Sequence, residues 1–452
     1  MKRILALILC FIMTLMLLSG CTPGGPGDDS GNDGKITLTY MTWAAGGQKE
    51  VEKKVIEEFN RTHPNIEVKA TFVPGDYLSR MQTLIAGNKE PDIAIMYGNY
   101  IHDWAQKGLL ADLTPYVQNS TIDFDDMLPV AKFYDQGKLY GATATLEAIL
   151  VYYNKQIFAD AGITEEDVKN WTWDEYVEIL RKVTVDKDGN HPGDANFNTK
   201  KIKTWGTFVP TASYINEPLL WSNGGAYFEP DGSGLAVDRP ESIEVLQKLV
   251  DLTFKEKVAP TSADMAGMSS QIKMLKDGRL ASFISGTYDI SGFVSEEWYD
   301  YGVAALPIFK ESANQLWGEP LVIFESCEHK EAAFEFMQYL LNPESCITLS
   351  EEGSCIPAFK SWYTDPEKFA SWADNQYHGA DFRALIPDLV TNCNATRSIY
   401  YVKNSDAVGN VIYSALDQCY LNNKPVESIV KDLDQKAKPY LQGVWDTMTW
   451  ID

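Results

Sequence analysis

Four kinds of side chain in this sequence could carry chemistry: carboxylates, imidazoles, thiols and aromatic rings. Asp and Glu number 63, against 39 Lys and Arg. Two carboxylates flanking a glycosidic bond can act as acid and base, but no pair here sits in a catalytic motif. An acidic surface explains their abundance more simply. The five histidines, at 63, 102, 191, 329 and 378, are scattered and there is no C-x-x-C, so the spacing supports no zinc site. Asp186-Lys187-Asp188-Gly189-Asn190 opens like a calcium loop, yet its turn glycine is misplaced and Phe197 stands where the bidentate glutamate belongs. It reads as a surface turn, and no metal or cofactor is implied. Of the seven cysteines, Cys327, Cys346, Cys355, Cys393 and Cys419 lie well inside the chain and are odd in number, so at least one stays unpaired within a monomer. A Cys346–Cys355 bridge is allowed by sequence distance without being fixed by it, and buried thiols are the favoured reading. The 54 aromatic residues must mostly be core, so only a loop position raises one of them toward recognition chemistry.

Charge and the N-terminus narrow the classes. The formal charge is −24, or about −26 once Lys2 and Arg3 are removed, and no basic cluster offsets it. Such a surface repels phosphate backbones, which makes nucleic acid an unsuitable partner and disfavours strongly anionic ligands. Lys2 and Arg3 precede an apolar run, Ile4 to Leu18, shorter than the roughly 20 residues of a bilayer span. Residues 1–20 therefore read as a secretory signal. Leu18-Ser19-Gly20-Cys21 resembles the lipobox of bacterial lipoproteins, in which the cysteine is diacylated, with palmitate as a typical acyl group. Residues 21–34, rich in Gly, Pro, Asp, Ser and Asn, cannot join a core and form a flexible tether. The expected location is the outer face of a cell membrane, lipid-anchored at Cys21. No second stretch reaches membrane-span length, so the chain is not itself a permease.

The elements that must position a site follow from periodicity. Ile36, Leu38 and Tyr40 alternate as a strand, Trp43-Ala44-Ala45-Gly46-Gly47 forms a loop, and Val51, Val55 and Phe59 recur at helical spacing. Ile66, Val68, Ala70 and Phe72 give a second strand, after which Asp76 is expected to cap a helix with Tyr77, Met81, Leu84 and Ile85 on its apolar face. Ile93 to Met96 suits a strand covered on both faces. Thr172-Trp173-Asp174-Glu175 reads as a capping box, Asp238-Arg239-Pro240-Glu241 as its repeat, and Ser326 as the cap of a helix stopped by Pro343. Strands alternating with helices imply an α/β layer structure with a largely parallel sheet. Ligands gather beyond the carboxyl ends of such strands, which points to Trp43 and the Tyr97-Gly98-Asn99-Tyr100 loop.

In order along the chain, Pro91-Asp92-Ile93 through Ala105-Gln106-Lys107-Gly108-Leu109-Leu110, Lys138-Leu139-Tyr140-Gly141, Leu146-Glu147-Ala148, Tyr152-Tyr153-Asn154-Lys155, Trp171 to Glu175, Ser222-Asn223-Gly224-Gly225 and Lys330-Glu331-Ala332-Ala333 resemble the family 1 extracellular solute-binding proteins. These are the maltose-binding-like components of sugar ABC importers. Each motif is weak alone, and their order carries the resemblance over nearly all of the chain beyond the tether. It implies a two-lobed periplasmic-binding-protein-like α/β fold (type II), each lobe a mainly parallel sheet flanked by helices, with a hinge between the lobes. The implied boundaries are 35–145 plus 303–342 for the first lobe and 146–302 plus 343–452 for the second.

A sugar offers hydroxyls and flat C–H faces, so a cleft for it pairs carboxylates and amides with aromatic platforms. By the resemblance, Glu147 matches a sugar-bonding glutamate at the lobe crossing, and its apolar flank Ala148-Ile149-Leu150-Val151 argues against a solvated strand. Asn99 and Tyr100 fall where the family reads hydroxyls, with plain loop residues as an equal alternative. Trp43 reads as a stacking residue or a lid over the core. Tyr214 stands at the position of a platform aromatic, and Trp221 is either a second one or core. Tyr288 replaces a family tryptophan. Trp317 and Glu319, in Trp317-Gly318-Glu319-Pro320, bring a further platform and carboxylate or form a tight turn.

The implied function is a binding lipoprotein, not an enzyme, that captures a carbohydrate, as a monomer, and delivers it to ABC permease subunits; an oligosaccharide is the expected ligand. The alternatives are a binder of another solute, such as a peptide, polyol or metabolite, and a secreted glycoside hydrolase.

Overall fold

The computed structural model describes residues 34–344, 355–393 and 395–445. Residues 1–33, which include Cys10, Cys21 and nearly all of the tether, lie outside them, as does Cys346. Along the chain run β1 (Ile36–Thr42), α1 (Gly46–Thr62), β2 (Ile66–Phe72), α2 (Tyr77–Ala86), β3 (Ile93–Ile95), α3 (Ile101–Gln106), β4 (Lys132–Asp135), β5 (Lys138–Ala142) and β6 (Thr145–Asn154). Then come α4 (Trp173–Val183), β7 (Val185–Asp186), β8 (Ile202–Thr204), α5 (Ser213–Ser222), α6 (Pro240–Phe254), β9 (Ser282–Gly286), β10 (Tyr301–Ala304) and β11 (Leu316–Trp317). After them follow β12 (Leu321–Ile323), α7 (Lys330–Leu341), β13 (Ile356–Pro357) and α8 (Ser405–Asn422).

A six-stranded sheet of order β2-β1-β3-β12-β5-β4 organises the first lobe. Its buried face is the one the alternation predicts: Leu38 and Tyr40 from β1 and Ile66 and Val68 from β2 pack with Phe59 of α1 and Phe336 of α7. In α1 the buried stripe runs through Val51, Ile56 and Phe59, and it also takes in a carboxylate, Glu52. The second lobe is built on β6, where only Thr145 and Glu147 keep appreciable exposure. Around it Tyr176, Leu180, Leu249, Val408 and Ile412 form a core from α4, α6 and α8.

Parallel pairing is narrower than expected. Among the named strands of the described residues only β2-β1-β3 pair in parallel, and β12, β5 and β4 complete that sheet antiparallel. In the second sheet β9, β10, β11 and β13 all pair antiparallel with β6. The cause is directional: β6 leaves the lobe junction, and each partner strand runs back toward it. Their carboxyl ends, like those of β1 and β3, are therefore gathered at the junction.

The chain crosses between the sheets from Ala142 to Thr145, returns from Trp317 to Leu321, and crosses again between Leu341 and Ile356. The first return lies later than residue 303, because β10 and β11 still bond to β6. Two crossings touch at Gly318, where a Cβ would sit 2.5 Å from both Thr143 Cγ2 and the Thr145 carbonyl oxygen. Only glycine permits that approach.

Local signals fared unevenly. Thr172 and Glu175 form the expected capping box on α4, with Thr172 N–H donating to Glu175 Oε2 at 2.7 Å. Asp76 does not cap α2: its φ is 50°, left-handed rather than the extended backbone from which a cap side chain reaches back. Asp238 does not cap α6, which opens on Arg239 and Pro240, and α7 starts at Lys330 after His329, well beyond Ser326. Asp186 holds a turn as expected, its Oδ1 accepting the N–H groups of Asp188 and Asn190, both at 2.9 Å. Cys327, Cys355 and Cys419 are buried, and Cys393 is half-buried.

Candidate ligand-binding site

Two glutamates form the floor where the crossings meet. Glu147, near the start of β6, lies directly opposite Trp317 of β11 in the ladder. The residue is half-buried, and among the described residues no side chain or backbone N–H hydrogen-bonds its carboxyl. Burial first, then the charge of Glu319, pushes it up to about 8, with Arg397 pulling the other way. At neutral pH it is largely protonated, so it can donate a hydrogen bond as well as accept one.

Glu319, by contrast, is fully engaged. Its Oε2 accepts the Gly98 N–H at 2.7 Å, while Oε1 accepts the Tyr400 hydroxyl at 3.0 Å and the Arg397 guanidinium at 3.4 Å. Burial raises it to about 7 in spite of these donors, of which Arg397 acts most strongly. Glu319 thus ties the first lobe to the segment 397–400 of the second.

Arg397 lies between the rings of Tyr214 and Tyr400, its guanidinium carbon 5.3 Å from each centroid. Its Nε is buried and has no hydrogen-bond acceptor among the described residues. The next residue, Ser398, donates its N–H, at 3.3 Å, and its hydroxyl to the buried carboxylate of Glu217 on α5. Glu217 is pushed up to about 7 by burial, with the Ser398 donors opposing.

Aromatic faces flank this floor. Trp43, just past β1, is half-buried, stacks on Tyr97 at 4.7 Å and meets Tyr77 edge-on at 5.0 Å. The Tyr77 hydroxyl donates to the carbonyls of Met41 and Ile95, pinning the carboxyl ends of β1 and β3 together. From the second lobe, Tyr214 meets Trp317 edge-on at 6.4 Å. Tyr288, past β9, folds its ring back over Gly286, where a Cβ would lie 2.2 Å from Cε1. Beside it Asp289 is half-buried, and burial raises its carboxyl.

The structure brings Glu147, Glu319, Tyr214, Trp317 and Tyr288 together. Trp317 is only 4% exposed, so it is a wall behind the others rather than an open platform. Trp221 is half-buried and, seven residues on from Tyr214, shares its helix face. Asn99 and Tyr100 sit past β3, but their polar groups are directed to Asp406 of the second lobe. Sequence reasoning pointed to the loop that holds Tyr97 without singling that ring out, and missed Arg397, Glu217, Asp289 and Tyr400. A lone carboxylate at 217, directly ahead of the apolar run Pro218-Leu219-Leu220-Trp221, was a readable signal that a partner was needed. Nothing around Arg397 marked it.

A pair of lobes whose strand ends converge on a floor of hydrogen-bonding and aromatic groups, with the chain crossing beneath it, is the architecture of a two-lobed solute-binding protein. The match to the bacterial extracellular solute-binding protein model over residues 23–345 settles the family: the chain belongs to it. It is 26% identical over 407 residues to a maltotriose-binding protein of Pyrococcus abyssi, covering 87% of this chain and 80% of that one. It is also 26% identical over 359 residues to a maltooligosaccharide ABC transporter solute-binding lipoprotein of Streptococcus pneumoniae, covering 76% and 77%. Among solved structures, an ABC substrate-binding protein of Listeria monocytogenes in complex with cycloalternan aligns with a TM-score of 0.77 at 22% identity, covering 90% of this chain and 98% of that one. The two-lobed fold is shared, and these relatives are binding proteins.

Proposed function

We propose that this protein captures a carbohydrate, an oligosaccharide of neutral charge, between its lobes and delivers it to the membrane subunits of an ABC importer. The observation that carries this reading is the pairing of unspent hydrogen-bonding groups with aromatic faces. Among the described residues the Glu147 carboxyl has no hydrogen-bond donor and Arg397 Nε no acceptor. Tyr214 lies against Arg397, and Tyr288, Trp43 and Trp221 are the further aromatic faces of the proposed cleft. Sugar hydroxyls would meet the former and sugar C–H faces the latter. Glu319 and Trp317 hold the floor in shape. The sugars named for the relatives support the same class, and the excess of carboxylates argues against uronate or phosphorylated sugars. A diacyl anchor at Cys21 and the tether after it would keep captured solute beside the permease.

The test is a thermal-shift and calorimetric screen of the purified protein against mono-, di- and oligosaccharides, with chromatography of each sugar afterwards. A ligand at 100 times its Kd adds about 2.7 kcal/mol to the native state, a shift of a few degrees. Binding of an intact saccharide is the expected result. A screen in which no saccharide raises Tm while a peptide or polyol does would overturn it, and so would a cleaved sugar.

A further inference from the structure

Asp406 stands in the first turn of α8, a helix whose Val408, Ile412, Leu416 and Cys419 are set in the core of the second lobe. Asn404, with φ 55° in the left-handed region, starts the helix just before it. The Asp406 carboxylate is exposed to solvent on that lobe's own side, yet both of its oxygens are taken by the first lobe. Oδ1 accepts Asn99 Nδ2–H at 3.2 Å, and Oδ2 accepts the Tyr100 hydroxyl. Burial and then this carboxylate raise the Tyr100 hydroxyl far above the ordinary tyrosine range, so it stays a donor. The partners are 307 and 306 residues apart in sequence, and none of the three belongs to a crossing segment.

We propose that Asp406 is a latch between the lobes, and that Asn99 and Tyr100 are positioning residues that retain the ligand by engaging it rather than by touching the ligand. The chemistry fits a contact that is made and broken. A carboxylate that accepts two donors in partial contact with water gives directional but modest attraction, and both sides can be solvated when apart. Glu319, bonded to Gly98 at the return crossing, differs: it lies where the lobes are joined by chain. A second contact of the same rim, the Trp445 ring over His102 at 5.6 Å, is flat and largely apolar. It adds area without fixing direction. The latch also accounts for the placement of Asn99 and Tyr100 at the end of β3 with no side chain turned to the floor.

The inference rests on the reading that the lobes close around a solute, so its test has an arm that needs no ligand. Spin labels, one per lobe, report the interlobe distance distribution of the ligand-free protein in wild type, Asp406→Ala, Asp406→Asn and Tyr100→Phe. The closed-to-open ratio is expected to fall roughly three- to tenfold in Asp406→Ala, less in the other two, with Tm unchanged. Tyr100→Phe added to Asp406→Ala should change nothing more. The second arm follows dissociation of maltotriose by stopped-flow tryptophan fluorescence. Asp406→Ala should release it faster by a similar factor with an unchanged association rate. Superimposable distance distributions for wild type and Asp406→Ala, or fully additive effects of Tyr100→Phe, would overturn the latch. If maltotriose fails to bind wild type, the carbohydrate reading is damaged while the distances still decide the latch.

Discussion

Glu147 and Trp317 face each other across the β6–β11 ladder, the one short of hydrogen-bond partners and the other sealed at 4% exposure. Burial is the largest influence raising the carboxyl, and the sealed indole stands at the paired ladder position; in the proposed function this carboxyl is the polar group offered to the ligand. From this follows the first prediction. Glu147→Ala should weaken saccharide binding by roughly 1.5–3 kcal/mol, about 12- to 150-fold, while Glu147→Gln loses less, since an amide also donates and accepts. Calorimetry against the best ligand of the screen checks this, and unchanged affinity in Glu147→Ala would remove the residue from the site.

The same carboxyl predicts a pH dependence of stability. Burial holds Glu147 up at about 8 when folded, against roughly 4.3 for an unfolded glutamate. The folded state therefore keeps its proton longer, and stability falls as pH rises from the ordinary carboxylate range through about 8. Glu319, Glu217 and Glu52, each held near 7 with burial as the largest influence, pull in the same direction. Glu147→Gln should match wild type in Tm below about pH 4 and exceed it progressively toward about pH 8. A difference that stays flat with pH would show that the carboxyl titrates normally.

Arg397 should not be replaceable by lysine. Its guanidinium is planar between two tyrosine rings and reaches Glu319, geometry that an ammonium cannot copy. Arg397→Met leaves Glu319 without its cation and should cost about 2–4 kcal/mol in urea unfolding; Arg397→Lys should recover less than half of that. Full recovery by lysine would mean that charge alone matters there.

Gly286→Ala should act on binding more than on stability. The added Cβ meets the Tyr288 ring at 2.2 Å, and the ring can swing toward the cleft to relieve it. A displacement costing about 1–2 kcal/mol would weaken the ligand roughly 5- to 30-fold. Gly318→Ala, in contrast, drives a Cβ against the backbone oxygen of Thr145, which cannot move aside, and should lower Tm by several degrees.

Cys21→Ala should leave ligand affinity untouched and release the protein into the culture medium. Immunoblots of membrane and medium fractions check this. Retention on the membrane would exclude the acyl anchor.

The features legible in the sequence are those whose cause is local. The Thr172–Glu175 box, the alternation of β1 and the apolar run of β6 were each readable from a few neighbouring residues. Asp76 and Ser326 misled because a capping residue type says nothing about the backbone angle or the exact start of the helix. Glu147 was reached through the family resemblance, with its apolar flank as support, and its position at the crossing explains why a carboxylate stands in that strand. Arg397 could not be found, because its meaning comes from Glu319, 78 residues earlier, and from two rings supplied by other segments. The antiparallel second sheet was equally hidden: nothing within β9, β10, β11 or β13 records that each would return toward the origin of β6.

The position of Glu319 has a practical corollary for anyone adapting this protein as a sensor. One carboxylate holds Gly98, Tyr400 and Arg397, so in the proposed role the group that shapes the floor would also be the joint between the two lobes. In the proposed cleft, selectivity and signal would be separable variables at Glu147, Tyr288 or Trp221, whose side chains make no hydrogen bond across the lobes among the described residues. At Glu319 they are one variable, and a substitution chosen there to admit a new analyte would also reset the amplitude of the response.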